Sequence, residues 1–302
     1  MDIAVLIPTL NEEITIAKVI HDFRREIPKA KIYVYDNNSE DNTVEIARKM
    51  EAIVKIVKKR GKGVVVQKMF DEVNADIFVL VDGDDTYPPE KVKEMIRLVE
   101  NDTTDMVIGA RLGSFKKEKR SFVHKVGNKL IAKSLNACFP SRVTDLLSGY
   151  RVMNKEIVKS LNLLSSGFAI ETEITIKALE NNFRIKEVPI QYRERPEGSK
   201  SKLKSFHDGY SILTSILNLF RDYRPLQFFL VLSIMAFAIA TGFGYNVVKD
   251  LVIFGKVKSI PNLIMAILFI LIAFQFLAMG FVTSSIRAQS KEVINLLKRL
   301  RK

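Results

Sequence analysis

Asp82 and Asp84 stand two residues apart, with Gly83 between them, directly after the apolar run Val79-Leu80-Val81. A strand ending this way delivers two carboxylates together, and the glycine permits close backbone approach. One or two carboxylates acting with substrate phosphates are a common grip on a hard divalent cation, Mg2+ or Mn2+. Such a cation would neutralise a diphosphate leaving group as its bond breaks. The plainer alternative is an acidic turn capping the helix expected near Pro88, since Asp and Thr favour caps. An isolated Asp-x-Asp says little. One at a strand end, with polar segments at neighbouring strand ends, says much more.

Those segments are present. Ile7-Pro8-Thr9-Leu10-Asn11-Glu12-Glu13 closes the first apolar run with groups that could hold a nucleoside. Asp36-Asn37-Asn38-Ser39-Glu40-Asp41-Asn42-Thr43 closes the second. There Asp36 is placed to meet a base or ribose, and Asp41 to cap the next helix. Arg60-Gly61-Lys62-Gly63 precedes Val64–Phe70 and could turn backbone N–H groups toward a phosphate.

These segments need a frame. Ile3–Ile7, Lys31–Tyr35, Ala52–Val57, Ile77–Val81 and Met106–Ile108 are each about strand length. Between the first two, Ile16, Val19, Ile20, Phe23 and Ile27 recur at helical spacing. The alternation predicts an α/β domain with a Rossmann-like, mostly parallel, doubly wound sheet. Ligands of such sheets sit beyond the carboxyl ends of the strands, where Asp36 and Asp82 fall. Residues 111–200 are less regular. Within them Phe115–Ser134 carries Lys116, Lys117, Lys119, Arg120, Lys125, Lys129 and Lys133 against Glu118 alone, either a phosphate-collecting stretch or a solvated helix face.

The C-terminal third has a different character. Leu203, Phe206, Tyr210, Leu213, Leu217 and Phe220 form one apolar stripe, fit for an interfacial helix over 203–225 or for packing on the domain. Leu226–Val248 and Leu263–Val282 then hold no charge over 23 and 20 residues, enough to span a bilayer twice. The connection Lys249–Ser259 is short, so the spans form a hairpin. The formal net charge of +13 would elsewhere suggest nucleic acid. Its distribution argues against that: residues 201–302 hold 13 Lys/Arg against 4 Asp/Glu, the first 200 hold 34 against 30. The excess flanks apolar segments. Arg221 and Arg224 precede the first span, and Arg287, Lys291, Lys298, Arg299, Arg301 and Lys302 follow the second. By the positive-inside rule, the N-terminal domain and the basic tail 287–302 are expected in the cytoplasm of a multi-pass cell-membrane protein. Cys138 is the single cysteine, so no disulfide framework is possible, as suits a reducing compartment. Met1-Asp2 leads straight into the first strand, so no secretory leader is expected.

In this order the motifs resemble the inverting family 2 glycosyltransferases of GT-A fold, in particular the polyprenyl-phosphate (dolichol-phosphate) sugar synthases. The likeness runs from Met1 to about Leu226, with residues 1–202 as the catalytic domain and 226–286 as its membrane hairpin. Gly109-Ala110-Arg111, Gly127-Asn128-Lys129, Asp145-Leu146-Leu147-Ser148-Gly149-Tyr150-Arg151, Glu171-Thr172-Glu173, Glu187-Val188-Pro189-Ile190 and Arg195–Leu203 also match. The resemblance implies that Pro8, Thr9, Asn11, Glu12, Asp36, Asn38, Lys62, Gly63, Asp82, Gly83, Arg195 and Lys202 bind the nucleotide sugar. It implies that Asp82 and Asp84 hold Mg2+ or Mn2+. Asp145, Arg111 and Arg151 would serve catalysis, and Arg111, Lys125, Lys129 and Ser148 the acceptor phosphate. The implied partners are a nucleotide-diphosphate sugar, a polyprenyl or dolichyl phosphate and the membrane, with no nucleic acid; the hairpin could also pair with copies of itself.

The chain departs from the family in two places. Thr86 stands where dolichol-phosphate mannose synthases commonly carry Gln, and Asp36-Asn37 where an Asp-Asp pair is common. These departures bear on the donor's identity rather than on the reaction class. With no Trp in the chain, the Gln-x-x-Arg-Trp motif of processive polymer synthases is impossible, and a single transfer is expected. Two other functions stay open: transfer to a lipid-linked saccharide or glycolipid, and a non-catalytic membrane scaffold that binds nucleotide sugars. Asp82 and Asp84, with Arg111 and Arg151, argue against the scaffold.

Overall fold

A computed structural model describes residues 1–111, 143–165, 167, 170–196, 198, 214, 217–218, 220–222 and 224–300. The stretch 115–134, with Lys125 and Lys129, lies outside the described residues, as do Lys202, the stripe over 203–213 and residues 301–302. The chain divides into two units, Met1–Ile216 and Leu217–Lys302.

In the first unit the five apolar runs become β1 (Ile3–Thr9), β2 (Lys31–Asp36), β3 (Ile53–Ile56), β4 (Ile77–Leu80) and β5 (Met106–Ala110). Between them lie α1 (Ile16–Glu26), α2 (Thr43–Lys49), α3 (Lys62–Glu72) and α4 (Val92–Glu100), the last preceded by a 3-10 turn, Pro89–Lys91. After the less regular region come β6 (Arg151–Asn154), α5 (Lys155–Ser160), α6 (Ile170–Glu180) and β7 (Ile185–Pro189). The seven strands lie in the order β3-β2-β1-β4-β6-β5-β7. β6 runs against both neighbours, and the other described pairings are parallel.

Burial explains the layering. The helical spacing read in α1 puts Ile16, Val19, Ile20 and Phe23 on one face, all buried. They pack with Val5, Ile7, Val79 and Val81 of the sheet and with Val92, Met95, Ile96 and Val99 of α4 in one cluster. Each such side chain contributes about 1.5–3 kcal/mol when fully removed from water. The opposite sheet face meets α3, where Phe70 packs edge-on to Phe78 at 6.5 Å. Sequence periodicity did not indicate β6. It is a four-residue strand, buried at its first three positions, that begins with Arg151 and is too short to show alternation. Its reversed direction brings its own start, not its end, to the carboxyl edge of the parallel strands: Arg151 pairs with Leu80 of β4 and Ile108 of β5.

The second unit is a hairpin of α7 (Pro225–Phe254) and α8 (Ile260–Leu300). Both are long and apolar enough to cross a membrane. They contain the expected spans 226–248 and 263–282 and run beyond them, so that 287–300 continues α8. Gly255 ends α7 with φ +68 and donates its N–H to Leu251 O. Small residues line the seam: Ala236 and Ala240 on α7, Ala266 and Ala273 on α8, all buried. A Cβ at Gly280 would lie 3.1 Å from that of Phe229, and Ser233 Oγ donates to Ala273 O at 2.8 Å. The outer faces are apolar and exposed, as at Ile234, Phe237, Leu271 and Phe274.

Candidate active site

The register sets Thr9, at the end of β1, beside Asp36, at the end of β2. Beyond them the loops after these strands interlock. Asn11, in the left-handed region at φ +50, donates its N–H to Ser39 Oγ and accepts the N–H of Glu40 on its Oδ1, both at 2.8 Å. Glu12 N–H donates to Thr43 Oγ1 at 2.8 Å, and Asp41 accepts from Glu13 N–H and from Thr43. Asp41 thus ties the two loops together and also accepts the first N–H of α2, that of Thr43, at 3.0 Å. Asp36 is buried and its carboxylate is engaged: Oδ2 accepts from Ser39 N–H at 2.7 Å, and Oδ1 from Ser39 Oγ and, at 3.4 Å, Thr9 Oγ1. Pro8, Thr9 and Glu12 are buried at this edge, while Asn11 and Asn38 are exposed.

Asn37 explains its own departure from the family pattern. Its Nδ2 donates to Val57 O at 3.0 Å and Lys59 O at 2.9 Å, and its Oδ1 accepts from Gly61 N–H at 2.7 Å. A carboxylate has no hydrogens for the two carbonyls. Gly61, at φ +132, then opens α3, in whose first turn Lys62 and the buried Gly63 lie.

Asp82 follows β4, and Lys62 Nζ meets its Oδ1 at 2.6 Å. The same ammonium also holds Glu171 Oε1 on α6. Burial opposes charge on Lys62, but Asp82 and Glu171 outweigh it and raise its pKa above the ordinary lysine value. Gly83 turns the chain, its carbonyl taken by Thr15 Oγ1 at 2.6 Å; a Cβ there would lie 2.9 Å from Thr9 Cγ2. Asp84 is buried. Its Oδ1 accepts from Thr86 N–H at 3.2 Å and Thr86 Oγ1 at 2.6 Å, while its Oδ2 is ion-paired to Arg195. Burial and the neighbouring Asp82 charge raise the Asp84 pKa; Arg195 and Thr86 pull the other way.

Arg111, just after β5, grips Asp145 with its fork: Nε to Oδ2 and Nη2 to Oδ1, each at 2.7 Å. Burial opposes ionisation of Asp145, yet Arg111's hydrogen bonds prevail and hold it below the ordinary aspartate value. Glu187 of β7 anchors the segment by accepting from Thr144 N–H at 2.7 Å and Asp145 N–H at 2.9 Å. Ser148 is buried and gives its hydroxyl to Gly109 O at 2.6 Å. Arg151 is wholly buried, donating to Leu146 O at 2.9 Å, Ser148 O at 3.1 Å and Thr175 Oγ1 at 2.8 Å. Burial lowers its pKa to about 10, so it is still a cation at neutral pH.

Thr9, Asp36, Lys62, Asp82, Asp84 and Arg195 are therefore joined around one sheet edge, with the Arg111–Asp145 pair beyond the end of β5. Residues that touch the site without having been assigned from sequence include Glu171, 109 positions from Lys62, and Gly149, against Asp82. No spacing rule relates either to its partner. The donor set suits a hard divalent cation: two carboxylates meet at a strand end, and each raises the need for positive charge beside it. Among the described residues no cluster of three or more His, Cys, Asp or Glu offers an all-protein cage.

Residues 4–161 match the family described as Glycosyl transferase family 2. The chain is a family 2 glycosyltransferase. Glycosyltransferase AglJ of Haloferax volcanii is 30% identical to this glycosyltransferase over 302 residues, 99% of this chain and 98% of the relative. Dolichyl-phosphate hexose transferase of the same organism is 31% identical over 223 residues, 74% of this chain and 96% of its own. Glucosyl-3-phosphoglycerate synthase from Mycobacterium tuberculosis, solved with Mn2+, uridine-diphosphate-glucose and phosphoglyceric acid, matches with a TM-score of 0.59 at 21% identity, over 72% of this chain and 79% of that one. The likeness establishes the GT-A fold for the glycosyltransferase.

Proposed function

We propose that this glycosyltransferase moves one hexose or N-acetylhexosamine, with inversion, from a UDP- or GDP-sugar to a polyprenyl phosphate of dolichyl type at the cytoplasmic face of the membrane. The carrying observation is the Asp82/Asp84 pair at the carboxyl edge of the sheet, in a chain that also bears two membrane-length apolar helices. The relative named dolichyl-phosphate hexose transferase supports the acceptor class.

In the reaction a lipid-phosphate oxygen attacks the anomeric carbon, the bond from that carbon to the diphosphate breaks, and nucleoside diphosphate leaves. The acceptor is already an anion at neutral pH, so positioning and charge stabilisation supply the rate without a strong base. Bound Mg2+ or Mn2+ on Asp82 and Asp84 supplies neutralisation of the leaving diphosphate. Lys62, fixed by Glu171, orients Asp82. Pro8, Thr9, Asn11, Glu12 and Asn38 receive the nucleoside, and Asp36 acts through the loop it braces. Arg111 and Asp145 shape the acceptor side, while Ser148 and Arg151 hold the turn behind them as positioning residues.

The test is a panel of UDP- and GDP-sugars offered to the purified full chain with free polyprenyl phosphate or with a lipid-linked sugar, products being identified by mass. A lipid-phosphate monosaccharide is expected. Product on the lipid-linked sugar alone would replace the acceptor, and no transfer from any donor would overturn the assignment.

A further inference from the structure

The two carboxylates that would hold the cation each carry a counter-cation from the chain itself, and the two are built differently. Lys62 lies in the first turn of α3, its side chain 15% exposed, clamped between Asp82 and the buried Glu171. Arg195 lies beyond the last described strand on an irregular segment, its side chain 27% exposed. Besides Asp84 it approaches Glu12 at 3.9 Å. The oxygens of Asp84 are also unequal. Thr86 occupies Oδ1 with two hydrogen bonds, and Oδ2 is what Arg195 holds. A divalent ion seated on Asp84 and a guanidinium on the same oxygen repel one another.

We propose that Arg195 is an exchangeable counter-cation: it satisfies buried Asp84 in the donor-free enzyme, yields Oδ2 to the divalent ion, and transfers its guanidinium to the diphosphate that arrives with that ion. Lys62 stays in place, held by Glu171. Exchange couples the two ligands, because the ion displaces Arg195 at a loss and the diphosphate gives it a new anionic partner. Ion and donor then bind as a pair, each weak alone. The inference rests on the metal-dependent reading of Asp82 and Asp84.

The test measures free Mn2+ by electron paramagnetic resonance over the purified full chain, without nucleotide and with UDP or GDP. Arg195→Gln should tighten Mn2+ binding alone, weaken nucleotide binding in Mn2+, and so reduce the coupling between them by about 10-fold, within the usual range for linked sites. Arg193→Gln is the control for charge alone: its guanidinium meets Asp85 and Glu90 instead of Asp84, and it should change either affinity by no more than about 2-fold. Equal effects from both variants, or no tightening in Arg195→Gln, would overturn the exchange. Asp84→Asn separates the two levels. Mn2+ binding that survives Asp84→Asn removes the metal reading and this inference with it. Binding lost there yet unchanged in Arg195→Gln removes the exchange alone.

Discussion

Gly149 leaves no room for a side chain against Asp82: a Cβ at 149 would stand 2.5 Å from Oδ2 and 2.9 Å from Cγ. Gly149 is outside the positive-φ region, so its backbone accepts alanine and the clash falls on Asp82. Gly149→Ala should fold with a near-normal melting temperature and lose roughly 100-fold in turnover, the scale of a 1 Å misplacement. Unchanged turnover would mean that the position of Asp82 does not limit the reaction.

Metal dependence follows from the carboxylate pair. Asp84→Ala should lower transfer by several orders of magnitude with the fold intact by circular dichroism. EDTA should stop wild-type transfer, and added Mg2+ or Mn2+ should restore it. Full activity in excess EDTA would exclude the cation.

Arg111 and Asp145 are each other's main partner in a buried setting, so removing one strands the other. Arg111→Ala should destabilise the domain by about 3–5 kcal/mol, read from urea unfolding. The sign of the pH effect follows from the depressed Asp145 pKa. Its contribution is present above the unfolded value of about 3.9 and is lost as pH falls through the lower folded value. Asp145→Asn should therefore flatten the acid limb of the stability profile. An unchanged limb would assign acid sensitivity to other carboxylates.

Asn37→Asp restores the acidic pair common in the family and should nevertheless destabilise. Two carbonyls, Val57 O and Lys59 O, lose their donor, and at Val57, which is buried, a group left unpaired costs about 1–3 kcal/mol. Thermal unfolding checks this, and a melting temperature equal to wild type would show that the loop relaxes around the carboxylate.

Flanking charge predicts the orientation of the hairpin. A cysteine at Ser290 in a Cys138→Ser background should react with impermeant reagent only from the cytoplasmic side of sealed vesicles. Labelling from the outer side would reverse the orientation and the donor pool.

The five parallel strands were legible because each is a short apolar run closed by polar residues, and Asp36 and Asp82 could be placed at their ends. Charge-free length likewise announced both helices of the hairpin. β6 was not legible, since Arg151-Val152-Met153-Asn154 is too short and opens on a charge that only tertiary burial explains. The site divided along the same line. Asp82 and Asp84 were read from local spacing, whereas the Lys62–Glu171 contact and the Gly149 clearance arise from strand order. Asp36 shows a subtler limit: its position was read correctly as a strand end, but Ser39 and Thr9 engage its oxygens.

The continuity of α8 has a mechanical consequence. At 41 residues it is about 60 Å long, roughly twice the hydrocarbon thickness it would cross. With the apolar part of α8 set in lipid, the basic stretch from Arg287 onward would be the far arm of a stiff rod. A change in tilt of about 10°, within the range bilayer thickness imposes, would swing the outer end by about 5 Å. Such a rod would convert membrane thickness into a displacement of positive charge along the lipid surface.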